Sequence, residues 1–186
     1  MTVEQTAVTT VAGLMALAAR TAPKGKGVDT IFVRVLTKKE LPALAETISA
    51  IGKKSGFGFF LRDAKNIAAS DACVIIGANG TDFAGINCGG CGFSGCDEFA
   101  KECKKRSSRI TPFAGPNCTI RITDLGIAVG SAVKMAQMHN VDNRVMFSAG
   151  AAALEQHLLD RKCTVAYGIP LKASGKNIYF DRPTVG

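Results

Sequence analysis

The run Ala72-Cys-Val-Ile-Ile-Gly77 decides the fold class: it is continuously apolar and bounded by turn-forming residues. A buried strand reads this way, because no position along it has to face water. Upstream, VDTIFVRVL (28–36) is β-branched and partly alternating, which predicts a second strand. Thr37 is then a helix N-cap, with Glu40 as its capping-box partner. The helix that follows is expected to bury Leu41, Leu44, Ala45, Ile48 and Ile51 and to stop at Gly52. Residues 57–69 read as a short helix or irregular segment. At the N-terminus, Val3, Ala7, Val11, Leu14, Met15 and Ala18 recur at helical spacing. Downstream, residues 97–106 have helical composition. DLGIAVGSAVKMAQMH (124–139) predicts a long helix whose small residues suggest full burial. A further helix is expected over 150–159, a strand over 164–167 and a short terminal strand over 178–180. Helices and strands alternate, so the class is α/β (α+β).

A chain of 186 residues, 47% of them apolar, suits one domain with a core that needs no disulfide staples. No linker, repeat or low-complexity tract divides it. No apolar run is long enough for a bilayer. The N-terminal stretch carries Glu4 early and lacks the basic start of a secretory signal, so a cytoplasmic location is expected. The net charge of +8 invites a nucleic-acid reading. Its cations are scattered, however, and with no Trp and two Tyr there is no aromatic ladder to stack bases. Basic charge suits an acidic redox partner or a phosphorylated cofactor equally well.

Seven cysteines are many for such a chain, and three of them crowd into NCGGCGFSGCDEFA (87–100). An odd total with no export signal argues against a disulfide framework. Cys88 and Cys91 form a C-x-x-C pair able to grip one end of a cubane, and Cys96 runs straight into a helix. The glycines between them permit positive-φ turns that aim backbone N–H groups at cluster sulfurs. The helix start adds its own positive end. Zinc also binds C-x-x-C pairs, but its sites ordinarily bring a second close pair of ligands, and neither His139 nor His157 is near in sequence. The fourth ligand is open between Cys118 and Cys103. Cys103 lies about 10 Å along the helix axis from Cys96. Cys118 follows the loop Gly115-Pro-Asn and can swing back, so Cys118 is preferred. Cys73 and Cys163, in apolar strands, read as core residues.

The cysteine run resembles the four-cysteine [4Fe–4S] domain of corrinoid iron–sulfur proteins and of membrane redox-complex B subunits. The matching residues are Cys88, Cys91, Gly92, Cys96 and Phe99-Ala100. The fourth cysteine arrives later here than in those domains. Nearly the whole chain is similar to the uncharacterised ferredoxin domain-containing family. That likeness rests on AARTAPKGKGVD (18–29), FLRDA (60–64), the cysteine run, DLGIAVGSAV (124–133), VDNRVMFSAG (141–150), GIPL (168–171) and GKNIYFDR (175–182).

A fainter resemblance, to FMN-dependent nitroreductases, rests on Arg20-Thr-Ala-Pro-Lys-Gly-Lys-Gly27, on Asp124-Leu-Gly-Ile-Ala-Val129 and on Tyr167-Gly-Ile-Pro170. It implies a nitroreductase-like mixed sheet flanked by helices over 1–186, with the iron–sulfur motif (86–118) inserted before the central helix. It also implies a homodimer, and FMN as a candidate cofactor held by Arg20, Pro23, Lys24 and Arg182. Lys24 stands where those enzymes usually carry serine, and their arginine-rich phosphate motif is missing.

Asp142-Asn143-Arg144 reads as a turn with Asp142 capping the next segment, or else as a polar clamp. Arg62-Asp63 reads as a structural ion pair. No catalytic triad, Walker loop or G-x-G-x-x-G after a strand is present. The expectation is therefore an iron–sulfur redox protein with a [4Fe–4S] cluster for electron transfer, which as an enzyme would be a flavin-dependent oxidoreductase. The non-enzymatic alternative is an electron carrier or redox-sensing subunit, and the third a zinc-stabilised binding module.

Overall fold

A computed structural model describes residues 2–105 and 111–181. Its centre is the strand β2, Ala72–Ala78, in which all seven residues are buried. β2 pairs antiparallel with β1 (Ile31–Thr37) on one side and with β4 (Val165–Lys172) on the other. The two-residue strand β3 (Asp142–Asn143) completes the order β1-β2-β4-β3. All of these ladders are antiparallel.

The strand's period of two distributes β2 between two cores. Ala72, Val74, Ile76 and Ala78 face the helices α1 (Val3–Thr21) and α5 (Thr119–Met138). Cys73 and Ile75 face α2 (Leu41–Ser55), α3 (Gly58–Ala69) and α6 (Phe147–Glu155). That is why the run carries no polar residue: helices cover both faces of the sheet. Burial also raises the Cys73 thiol far above its ordinary pKa, so it stays a neutral core group.

Several local expectations are corrected. On α1 the buried stripe is Val8, Val11, Ala12, Met15 and Ala19, while Val3 and Ala7 are exposed. The helix is apolar over so much of its girth that spacing alone leaves its rotation open. Thr37 is not an N-cap. It ends β1 and gives its N–H and hydroxyl to the Glu40 carboxylate, both at 2.8 Å, and the helix starts one residue after Glu40. α2 runs past Gly52 to Ser55, where Gly56 closes it at φ 75°.

α5 is not fully buried. Leu125, Ala128, Ala132 and Ala136 face the core, whereas Gly126, Ile127 and Gly130 face outward. Asp142 caps no helix; its Oδ1 accepts from Asn177 Nδ2 at 2.9 Å, and the N-cap of α6 is Met146. Residues 178–180 form no strand. Tyr179 is instead buried, its hydroxyl 2.8 Å from Ser70 Oγ. No helix among the described residues is long and apolar enough to cross a membrane.

Candidate metal centre

Between β2 and α5 the chain leaves the sheet, makes the cysteine loop, forms the helix α4 (Cys96–Lys104) and returns through Gly115–Cys118. Each turn of the loop uses backbone freedom suited to it. Asn87, Gly89 and Gly92 have φ of 50°, 68° and 85°, and the Gly92 N–H closes on the Gly89 carbonyl at 3.0 Å. Asn87 ties the two ends together. Its Oδ1 accepts from the Cys96 N–H at 2.8 Å, and its own N–H points at Cys96 Sγ at 3.4 Å. Asn tolerates the left-handed region and can accept through its side chain, which is why this residue type works here.

Cys88, Cys91, Cys96 and Cys118 line one cleft, together with Phe83, Ala84, Ile86 and Phe99. Cys103 does not line it; its Sγ lies 4.0 Å from the Pro116 carbonyl. Exposure is graded across the four: Cys88 is exposed, Cys91 and Cys96 are partly covered and Cys118 is buried. Phe99 is the floor, with the rings of Phe83 and Phe93 edge-on to it at 5.9 and 5.8 Å.

Two helices begin at these cysteines. Cys96 is the first residue of α4, and Cys118 is the N-cap of α5; neither N-cap residue supplies a side-chain bond, and the Cys96 N–H is taken by Asn87. N–H groups at such ends favour negative charge beside them. Ser94 closes the approach to α4, donating its N–H and hydroxyl to Glu98 at 2.8 and 2.7 Å; these bonds hold Glu98 below its ordinary pKa.

The donor chemistry fits an iron–sulfur group: four thiols, an apolar floor and two helix N-termini facing one space. Among the described residues no three His, Cys, Asp or Glu side chains converge closely enough to hold a single metal ion.

The remaining expected cofactor residues lie elsewhere. Arg20 Nη1 binds Asp29 Oδ2 at 2.5 Å and the Ile31 carbonyl at 2.7 Å. Lys24 Nζ is turned back onto the Arg20 and Ala22 carbonyls at 2.5 and 2.8 Å, at the C-terminal end of α1. Burial opposes the charge on Asp29, but the Ile31 N–H and the Arg20 and Lys24 cations prevail and hold its pKa below the ordinary value. Pro23 is exposed beside them. Arg182 lies outside the described residues, as do Arg106, the last residue of the expected helix, and Arg109. Arg62 pairs with Asp63 at 2.8 Å, and Ser148 Oγ donates to Asp63 at 2.6 Å, so this is a structural pair. Arg144 binds the Tyr179 carbonyl at 3.0 Å.

Sequence reasoning missed Asn87, Asn117, Arg121 and Asp124. Asn117 joins the loop to the sheet: its Oδ1 accepts from Thr164 Oγ1 at 2.6 Å, and its Nδ2 donates to the Ala114 carbonyl at 2.8 Å. Arg121 and Asp124, fully buried on α5, carried one legible signal. They are opposite charges three residues apart, next to Leu125 on what becomes the apolar side of the helix.

Comparison with known proteins points to an iron–sulfur group in the same stretch of chain. Residues 84–111 match the family described as "Putative Fe-S cluster", and residues 114–182 match that of uncharacterised proteins containing a ferredoxin domain. An uncharacterised protein of Archaeoglobus fulgidus is 43% identical over 169 residues, covering 91% of this chain and 88% of that protein. Among solved structures, the FMN-dependent nitroreductase of Clostridium difficile superposes with a TM-score of 0.54 at 16% identity, over 90% of this chain and 76% of that one. The hypothetical oxidoreductase YcnD of Bacillus subtilis gives 0.57 at 12% identity, over 95% and 61%. Likeness at such identities concerns the fold, which is nitroreductase-like.

Proposed function

Because the chain belongs to the family of uncharacterised proteins containing a ferredoxin domain, we propose that it is an iron–sulfur redox protein holding a [4Fe–4S] cluster on Cys88, Cys91, Cys96 and Cys118. The observation that carries this reading is the single cleft lined by those four thiols. When bound, such a cluster supplies reversible one-electron transfer. The chain's own part is to hold the thiolates and to offset their charge with the first N–H groups of α4 and α5. Asn87 fixes the Cys96 backbone, and Phe83, Phe93 and Phe99 keep water from the inner wall. The exposed side, at Cys88 and the half-exposed Ile86, is where a redox partner protein docks.

FMN is the second cofactor in this reading, supported by the fold and by one FMN-dependent neighbour of that fold. Arg20 and Lys24 would have to leave Asp29 and the α1 carbonyls to meet its phosphate. Flavin content therefore separates an oxidoreductase with a cluster relay from a cluster-only carrier. The proposal includes a homodimer joined through the outward face of α5, at Gly126, Ile127 and Gly130.

The test is anaerobic purification with iron, sulfide, zinc and flavin counted on one sample, alongside its absorption spectrum. The expected result is a brown protein with about four irons and four sulfides per chain. A colourless protein with stoichiometric zinc, resistant to reconstitution, overturns the reading.

A further inference from the structure

A buried ion pair fastens the cysteine loop to the loop between α1 and β1. Arg121 and Asp124 follow Cys118 within the first turns of α5, with side chains 2% and 4% exposed and 3.3 Å apart. Arg121 addresses two separate segments at once. Its Nε donates to the Asp82 carbonyl at 2.6 Å, at the root of the cysteine loop. Its Nη1 donates to the Gly25 and Val28 carbonyls at 3.1 and 3.5 Å. Asp124 Oδ1 accepts the Gly25 N–H at 2.8 Å. From the other side, Lys26 Nζ reaches the Ala84 carbonyl at 3.2 Å.

The fit is close. A Cβ on Gly25 would lie 2.6 Å from Ile120 Cγ2, so only glycine lets the backbone approach α5 this far. Lys26 sits at φ 59°, a left-handed conformation that costs a non-glycine residue energy unless its surroundings hold it there. An apolar pair of similar volume would fill the same space without stripping water from two charges. What the charged pair adds is a planar donor that fixes carbonyls of both loops in one geometry.

We propose that Arg121 and Asp124 are positioning residues that couple the cysteine site to the segment Ala22–Ile31. This rests on the cluster reading above. With Cys118 held at the cluster, the start of α5 is fixed, and Gly25 and Val28 are fixed with it. With Cys118 released, Arg121 loses its register on Asp82 and the segment loosens. The segment carries Lys24 and starts two residues after Arg20, the candidate phosphate-binding cations. Cluster loading therefore precedes ordering of any phosphate-bearing cofactor there.

The test is hydrogen–deuterium exchange of the full chain, iron-loaded and after iron removal by a chelator, following peptides over 22–31 with peptides of α2 and α3 as reference. Iron removal is expected to speed exchange over 22–31 by about tenfold or more and to leave the reference unchanged. Arg121→Gln should retain its iron yet abolish the difference between the two states. Lys26→Met, which removes only the Ala84 contact, should shrink that difference, and serves if Arg121→Gln fails to fold. A purely structural role would speed exchange equally in both states and preserve their ratio, which overturns the proposal. So does equal uptake over 22–31 with iron bound and removed. A chain that takes up no iron in any preparation defeats the cluster reading itself, and that outcome is distinct from one in which iron binds and the segment does not respond.

Discussion

The Cys118 N–H donates to the Gly80 carbonyl at 2.7 Å, so the most buried of the four thiols hangs from the end of the central strand. The site is thereby anchored to the stiffest part of the fold. β2 is buried along its whole length, and Gly80 is held in turn by Thr164 Oγ1, which accepts the Gly80 N–H at 2.9 Å.

Gly80→Ala should damage both site and fold. The new methyl would sit 2.0 Å from Asn117 Oδ1 and 2.8 Å from Asn117 Cβ, so a turn of that side chain does not clear it. Thr164 and Ala114 also hold the Asn117 amide in place. The expected cost is about 1–3 kcal/mol in denaturant unfolding, with iron per chain reduced. Gly175→Ala, where nothing lies within 4 Å, is the neutral control. Equal stability and iron content in the two variants would refute the anchoring argument.

Cys118→Ser should lose or convert the cluster, since an alcohol oxygen is a poorer ligand for iron than thiolate. Cys103→Ser should leave iron content and spectrum unchanged, because its Sγ lies by the Pro116 carbonyl and outside the cleft. Reversal of these two results would move the fourth ligand to Cys103.

Asp71 should make the fold acid-sensitive. Burial alone would raise its pKa. Lys38 and Lys172, at 2.8 and 2.9 Å, prevail and hold it below the ordinary carboxylate value. A depressed folded pKa contributes stability that is full above the unfolded value of about 3.9 and is lost as pH falls through the folded value. Asp71→Asn is expected to cost about 1.5–3 kcal/mol at neutral pH. In urea titrations the gap to wild type should close as the pH drops below about 4. A gap that stays constant down to strongly acidic pH would remove the ion pairs from the account.

The proposed dimer predicts a solution mass of twice 19.4 kDa. Ile127, 39% exposed on the outward face of α5, is the side chain to charge. Ile127→Glu should give a monomer by light scattering while the cluster spectrum persists. A wild-type protein that is monomeric at micromolar concentration with its cluster intact would dismiss the interface.

The sequence revealed what depends on residue type and spacing within one segment. Ala72–Gly77 had to be buried because it offers water nothing, and Cys88, Cys91 and Cys96 announce their chemistry by crowding. What it concealed depends on partners far along the chain. Thr37 and Glu40 do bond each other, but strand pairing with Ala72 holds Thr37 in β1 and delays the helix. Tyr179 looked like strand because it is apolar and β-prone, yet its burial is fixed by Ser70, more than a hundred residues away. The rotation of α1 was ambiguous because small residues cover several of its sides. Arg121 and Asp124 stood in plain view, but a charged pair on a helix is most often solvated, and only the loops that close over them make them internal.

The gradient from exposed Cys88 to buried Cys118 gives the site a direction in time. An oxidant, a chelator or a delivery protein arriving from water meets the Cys88 corner first, whereas Cys118 is sealed by its place at the start of α5. For the proposed cluster, loss and refilling of iron would both run through that outer corner. The backbone of Cys118, by contrast, hangs from the turn that ends the central strand.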